Sequence, residues 1–236
     1  MTAIKLSPRL QAVANLVPKG SRMADIGSDH AYLPAALLQA GQIDFAVVGE
    51  VAEGPLQNAE HTVKSQGLTD QVVCRLADGL AAIEASDAVD TVVIAGMGGL
   101  LIEKILTAGV PAAKFSRLIL QPNTDQAAVR AWLVGHHYKI SHEEIVQEGR
   151  HRYEMLVAEP GEEQLTAAQI TFGPHLLKDQ DPVFLTKWQL EYERINGVLD
   201  RLAAAGQEAS DKYQKLQAQA KQIQEEVFHG KSTSNH

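Results

Sequence analysis

Four short stretches of this chain hold the residue types that could do chemistry. In "MADIGSDHAYLP", Asp25, Gly27, Asp29, His30 and Tyr32 fall where a glycine-rich nucleotide loop would carry small residues. Only Gly27 remains to let the backbone turn and approach a ligand closely. Glu50 closes "FAVVGE", where a carboxylate can accept both hydroxyls of a ribose. Asp78 and Gly79 follow "VVCRLA" and suit an adenine amino group beside a backbone turn. The run "AGMGG", Ala95 to Gly99, supplies glycines that would let a flat substrate approach.

These residues need a scaffold that gathers them. The apolar runs "RMADI", "FAVVGE", "QVVCRL", "DTVVIAG" and "RLILQ" read as buried strands, separated by helix-length stretches such as "PLQNAEHTVKSQG", "GLLIEKILTAG" and "DQAAVRAWLVGH". That alternation predicts an α/β fold with a parallel sheet covered on both faces. "HYKISHEEIVQ" and "RYEMLVAEP", joined at "EGRH", predict an antiparallel hairpin, so the sheet is expected to end in a reversed strand. In such sheets ligands bind outside the carboxyl ends of the strands, where strand order reverses. All four stretches lie at predicted strand ends.

Beyond Pro160 the pattern changes. "FGPHLLKDQDPVF" reads as a linker or short irregular segment punctuated by Gly and Pro. Leu185, Trp188, Tyr192, Ile195, Leu199 and Leu202 then recur at heptad spacing, and Tyr213, Leu216, Ala220, Ile223 and Val227 resume it after "AAAGQ". An antiparallel helical hairpin is expected, with Trp188 and Tyr192 in its core, and the tail "GKSTSNH" is expected to be disordered. The expected domains are residues 1–160 and a coiled-coil-like appendage at 161–236.

Composition excludes several classes. The single cysteine, Cys74, sits in an apolar run, reads as buried and inert, and rules out a disulfide framework or thiolate metal site. His136 and His137 have no metal constellation around them, so no metal is expected. The first residues lack an apolar leader and no run is long enough to cross a bilayer; a cytoplasmic location is expected. The net charge of −8, with no basic excess on either side of Pro160, requires any nucleic-acid surface to be a local patch.

Charge also separates ligands. A pyrophosphate wants glycine N–H groups rather than Asp29 in the loop. A sulfonium with an α-amino group suits Asp25 and Asp29, which favours S-adenosylmethionine over NAD. An NAD(P)-dependent oxidoreductase would use Glu50 similarly, but Asp29 and His30 interrupt its G-x-G-x-x-G pattern. A non-catalytic scaffold with a methyltransferase-like core should have lost a strand-end acid or glycine, and none is missing.

Together, "LSPRLQAVANLV", "ADIGSDHAYLP", "GEVAEGPLQNA", "IAGMGG" and "LILQPNTD", in this order, resemble the bacterial TrmK family. Its members are S-adenosylmethionine-dependent methyltransferases acting on N1 of an adenine in the D-arm of tRNA. The resemblance runs from about Leu6 to Glu159 and extends more loosely to the helical pair. It implies a Rossmann-like methyltransferase domain at 1–160 with tRNA as partner; a monomer or weak dimer is expected.

The resemblance also implies roles. Asp25, Gly27 and Asp29 would hold the amino-acid end of the cofactor, Glu50 its ribose, and Asp78 with Gly79 its adenine; Val51, Ala95, Gly96 and Met97 complete the cofactor set. Gly96 to Gly99 would line the place where cofactor and base meet, with Gly98, Gly99, Gln121 and Asn123 on the substrate side. Arg9, grouped with them, could fold over the cofactor or reach RNA phosphate. N1 of adenine carries a free lone pair and no proton, so alignment and exclusion of water are the main demands. Asp29 is the candidate to stabilise the developing cation, with His30 as a positioning group. Asp29 could equally cap the following helix.

Overall fold

The first unit is built around β1 (Ser21–Ile26), an interior strand of its sheet with Met23 and Ala24 sealed from solvent. It pairs in parallel with β2 (Ile43–Glu50) on one side and β4 (Thr91–Gly98) on the other. The computed structural model describes residues 4–109 and 115–229, in two units divided between Gln164 and Leu165.

The first unit carries a seven-stranded sheet in the order β3-β2-β1-β4-β5-β7-β6, with β3 at Val72–Leu76, β5 at Arg117–Thr124, β6 at Tyr138–Glu148 and β7 at His151–Pro160. β1 to β5 are parallel, as continuous apolar runs such as Val92–Ile94 and Leu118–Leu120 require when both faces are covered. The last strand in sequence, β7, is the reversed one and lies between β5 and the edge strand β6. Strand order reverses between β1 and β4, which opens a crevice above their carboxyl ends.

Helices α1 (Pro8–Leu16), α2 (Tyr32–Gln39), α3 (Glu53–Ser65), α4 (Gly99–Gly109) and α5 (Gln126–Gly135) cover the sheet. Ser7 starts α1 by accepting from the N–H of Leu10, with Pro8 in the first turn where its missing N–H costs nothing. Arg130 of α5 is fully buried and ties the terminal hairpin down: its Nε lies 2.7 Å from Glu143 of β6 and its Nη2 2.6 Å from Glu154 of β7.

The second unit is helical: α6 (Ala167–Phe172), α7 (Pro174–Asp179), α8 (Pro182–Ala204) and α9 (Asp211–Gln222), continued by one π-helical stretch to Phe228. The expected linker "FGPHLLKDQDPVF" is therefore mostly helix. Its Gly and Pro mark helix starts: Gly173, at φ +95°, breaks the chain between α6 and α7, and Pro174 and Pro182 occupy first turns. α8 and α9 form an antiparallel hairpin, with Gln180 bonded to the carbonyl of Val227 and Tyr192 edge-on to Phe228. Trp188, Ile195, Leu199, Ala220, Ile223 and Val227 bury the heptad seam, and Phe184, outside the repeat, is wholly buried beside it. The tail Gly230–His236 lies outside the described residues.

Cys74 is half-buried rather than buried, because β3 is an edge strand; desolvation pushes its thiol up to about 11, which disfavours the thiolate. Among the described residues no helix is long and apolar enough to cross a membrane, and no cluster of His, Cys, Asp or Glu could hold a metal ion.

Candidate functional site

Two cavities open at the carboxyl edge of the sheet and meet at Gly27. The first, about 280 Å³, is lined by Arg9, Asp25, Ser28, Asp29, His30 and Tyr32, with Ala95 and Gly96 across from them. The second, about 260 Å³, is lined by Glu50, Val51, Asp78, Gly79 and Met97, with Leu101 and Ile105 as an apolar wall. A Cβ on Gly27 would stand 2.0 Å from Cε of Met97, so the thioether lies directly against the bare α-carbon between the cavities. Gly27 also has φ +74°, a conformation that side chains resist.

The loop after β1 is held from below. The Gly27 N–H donates to the Gly49 carbonyl at 2.8 Å, the Ser28 hydroxyl donates to the Asp25 carboxylate, and the Asp29 N–H donates to Oε1 of Glu50. Asp29 (φ +59°) and Ala31 (φ +53°) both adopt left-handed backbone, and His30 sits between them. Non-glycine residues take that conformation at a cost, and such strain tends to collect at functional sites. The expected cap does not form: Ala31 occupies the N-cap of α2 with no side-chain hydrogen bond. The backbone turns left at Ala31, leaving Asp29 outside capping range, its carboxylate 63% exposed and 3.5 Å from Nε2 of His30.

Electrostatically the first cavity is an acid pocket with one cation. Burial pushes Asp25 up to about 6; Ser28 and Arg9 pull it down and Glu50 pushes it further up. Burial likewise raises Glu50, against the hydrogen bonds it accepts from the loop backbone. One Glu50 oxygen is engaged by Asp29, and a carboxylate keeps further lone pairs for a ligand hydroxyl.

Arg9 reaches this cavity from the second residue of α1. Its Nη1 donates to Oε1 of the buried Gln121 at 2.7 Å, its guanidinium lies over the Tyr153 ring at 5.5 Å, and its N–H donates to Glu148 at 2.8 Å. Gln121 passes the orientation on: its Nε2 donates to Asn123 at 3.0 Å, and Nδ2 of Asn123 donates to the Gly96 carbonyl at 2.7 Å. A Cβ on Gly96 would come within 3.3 Å of Nη1 of Arg9.

The fold thus brings Arg9, Asp25, Gly27, Asp29, His30, Ala95 and Gly96 to one cavity and Glu50, Val51, Asp78, Gly79 and Met97 to its neighbour. Gln121 and Asn123 stand behind Arg9 and Gly96 rather than on a cavity wall. Gly98 and Gly99 line neither cavity. For Gly99 packing alone demands glycine, because a Cβ would lie 2.4 Å from the carbonyl oxygen of Asp125 and 2.6 Å from that of Thr124.

Sequence reasoning missed Ser28, Leu101, Ile105, Tyr153 and Glu148. Leu101 and Ile105 were recoverable, being one turn apart on the helix that follows "AGMGG". Glu148 carries no sequence signal, since it is 139 positions from the N–H it accepts.

The family described as tRNA (adenine(22)-N(1))-methyltransferase, TrmK, matches residues 23–226. Over 98% of its length and 100% of the other's, the chain is 37% identical to the tRNA (adenine(22)-N(1))-methyltransferase of Bacillus subtilis. It is similar to the solved Streptococcus pneumoniae protein Sp1610 in complex with S-adenosyl-L-methionine, with TM-score 0.87 and 42% identity over 94% of this chain and 100% of that one. M. capricolum TrmK in complex with S-adenosyl-homocysteine is similar at TM-score 0.84 and 28% identity, over 94% of this chain and 98% of that one.

Proposed function

The chain belongs to the TrmK family of tRNA (adenine(22)-N(1))-methyltransferases, and we propose how its two cavities divide the work of that reaction. It is an S-adenosylmethionine-dependent methyltransferase acting on N1 of an adenine in the D-arm of tRNA. The observation that carries the assignment is the meeting of an acidic cavity and a half-apolar one over a glycine with no room for a side chain.

The cofactor supplies an electrophilic methyl group on a sulfonium. Asp25 takes the α-ammonium and Arg9 the α-carboxylate in the first cavity. Of the two roles open to Arg9 we assign it the cofactor; the contacts of its guanidinium with Gln121 and Tyr153 support that reading. Glu50 accepts from the ribose and Asp78 from the adenine amino group, while Val51, Leu101 and Ile105 cover the base in the second cavity. Ala95, Gly96 and Met97 form the floor under the sulfonium. Asp29, with His30 beside it, faces the charge that arrives on the target base. No residue is needed as a strong base, since N1 of adenine has no proton to lose.

The acids argue against a dinucleotide here. A pyrophosphate would meet Asp29 in the loop, whose N–H is already committed to Glu50.

Contact with tRNA extends beyond the crevice. On α8, Lys187, Arg194 and Arg201 recur at seven-residue spacing and so share one line of the helix, although Arg194 is bridged to Glu191 at 2.7 Å. We assign them phosphate contacts; Lys212, Lys215 and Lys221 belong to α9. The enzyme works in the cytoplasm as a monomer or weak dimer.

Mass spectrometry of nucleosides from unmodified tRNA incubated with the protein and S-adenosylmethionine tests the reading directly. One N1-methyladenosine per tRNA, with a primer-extension stop in the D-arm, is expected; methylation at N6, or none, refutes it. Changing Lys187, Arg194 and Arg201 to Gln should flatten the salt dependence of tRNA binding by roughly one unit of slope per lost contact.

A further inference from the structure

One feature of the first cavity is given no part in holding the cofactor by the reading above. His30 and Tyr32 are stacked on each other, with ring centroids 5.0 Å apart and planes within 10°. Tyr32 is 44% exposed, lines the cavity, and its hydroxyl has no hydrogen-bond partner among the described residues. Asp29 and Ala31, on either side of His30, both take left-handed backbone. A strained loop that presents two parallel rings at a cavity mouth is costly for a purely structural turn.

We propose that Tyr32, backed by His30, is the platform on which the target adenine stacks for methylation. The inference rests on the methyl-transfer reading above and adds the residue that receives the base. Stacking on an aromatic ring is the common way to hold a base taken out of its helix, and the phenol face offers it to any purine. A two-ring stack also leaves an outer face on which a third flat ring can continue the pile.

The chemistry gives this platform a second use. The lone pair of N1 forms the new bond to the methyl carbon while the carbon–sulfur bond breaks, and its electron pair stays on sulfur. The positive charge therefore passes from the sulfonium to the adenine ring, and no proton moves. An aromatic face attracts a cationic ring more strongly than a neutral one. Tyr32 then binds the transition state better than the bound substrate, which raises the rate of the step rather than only the affinity for tRNA.

The test compares Tyr32→Phe and Tyr32→Leu with the wild-type protein, using full-length unmodified tRNA and saturating S-adenosylmethionine in single turnover. Phe keeps the ring; Leu keeps apolar bulk on a half-exposed side chain without a π face. The Leu variant should fall in rate by on the order of tenfold or more, the Phe variant by no more than about threefold. Affinity for S-adenosyl-homocysteine, measured by calorimetry, should stay within about twofold of wild type in both. A tRNA carrying 2-aminopurine at the target position should lose fluorescence on binding wild type and the Phe variant, and keep it with the Leu variant. Equal rates for Leu and Phe, or quenching that survives in the Leu variant, overturn the platform while leaving the reaction standing. A wild-type protein that methylates no tRNA removes the reaction itself.

Discussion

Arg9 and Gln121 are joined by a 2.7 Å hydrogen bond from the guanidinium to a fully buried amide oxygen, which links α1 to the end of β5. The bond fixes which way the amide faces. Its Nε2 must then point to Asn123, whose own Nδ2 supports the carbonyl of Gly96. One cation on the first helix thereby sets the geometry of the cavity wall opposite the Asp25 loop.

If Arg9 carries the cofactor carboxylate, Arg9→Ala should weaken binding of S-adenosyl-homocysteine by about 1.5–3 kcal/mol, the scale of a hydrogen bond to a charged group. Arg9→Lys should recover only part, since an ammonium cannot reproduce the planar fork that reaches Gln121. Calorimetry on the free protein reads both. A loss confined to tRNA binding, with cofactor affinity intact, would assign Arg9 to the RNA.

Asp25 predicts a pH dependence. An acid whose folded pKa is raised contributes stability that is fully present below its ordinary value of 3.8 and is lost as pH rises through about 6. The cofactor ammonium favours the ionised form, so cofactor affinity should rise through about pH 6, with proton release on binding near that pH. Binding enthalpies in buffers of different ionisation heat will detect the proton. Asp25→Asn should bind more weakly at neutral pH and flatten the profile around 6; an unchanged profile would move the dependence to another group, Glu50 being the neighbour.

Gly27→Ala should cost roughly 1–2 kcal/mol of stability from the left-handed backbone alone. Cofactor affinity should fall further, because the added methyl stands where the two cavities join. Pairing it with Met97→Ala removes the 2.0 Å collision but not the backbone strain, so binding should stay impaired. Urea melts and calorimetry on the single and double variants separate the two effects.

Arg130→Met leaves the carboxylates of Glu143 and Glu154 buried beside an apolar side chain. A loss of about 3–5 kcal/mol is expected, the usual penalty for removing one partner of a buried ion pair. It should appear as a lower thermal midpoint, together with looser cofactor binding if the hairpin that supports Arg9 shifts.

Much of this was legible in the sequence because a parallel sheet brings its strand ends to one edge. Asp25, Glu50, Asp78 and Ala95 end up around one crevice although they are far apart in the chain, and their apolar strands announced them. Other features follow from tertiary geometry that leaves no local trace. Alanine has no preference for left-handed backbone, so nothing marked Ala31 as the start of α2 or barred Asp29 from capping it. "FGPHLLKDQDPVF" misled because Gly and Pro begin helices as readily as they interrupt them. The Arg130 cluster joins a helix to two strands, and a lone Arg among apolar helix residues looks like any amphipathic side chain.

The hydrogen bond from the N–H of Arg9 to Glu148 also has a meaning in time. It joins the first helix to the tip of the last hairpin, 139 residues later, and Tyr153 beneath the guanidinium comes later still. During synthesis β1, β2 and β4 can pair as they emerge, but the support for Arg9 does not yet exist. A nascent chain released only as far as β5 has the acids of the crevice and Gln121, but lacks the Glu148 and Tyr153 contacts of Arg9. On the role proposed for Arg9, the full grip on the cofactor arises late, when β6 and β7 have left the ribosome and brought Glu148 and Tyr153 to α1.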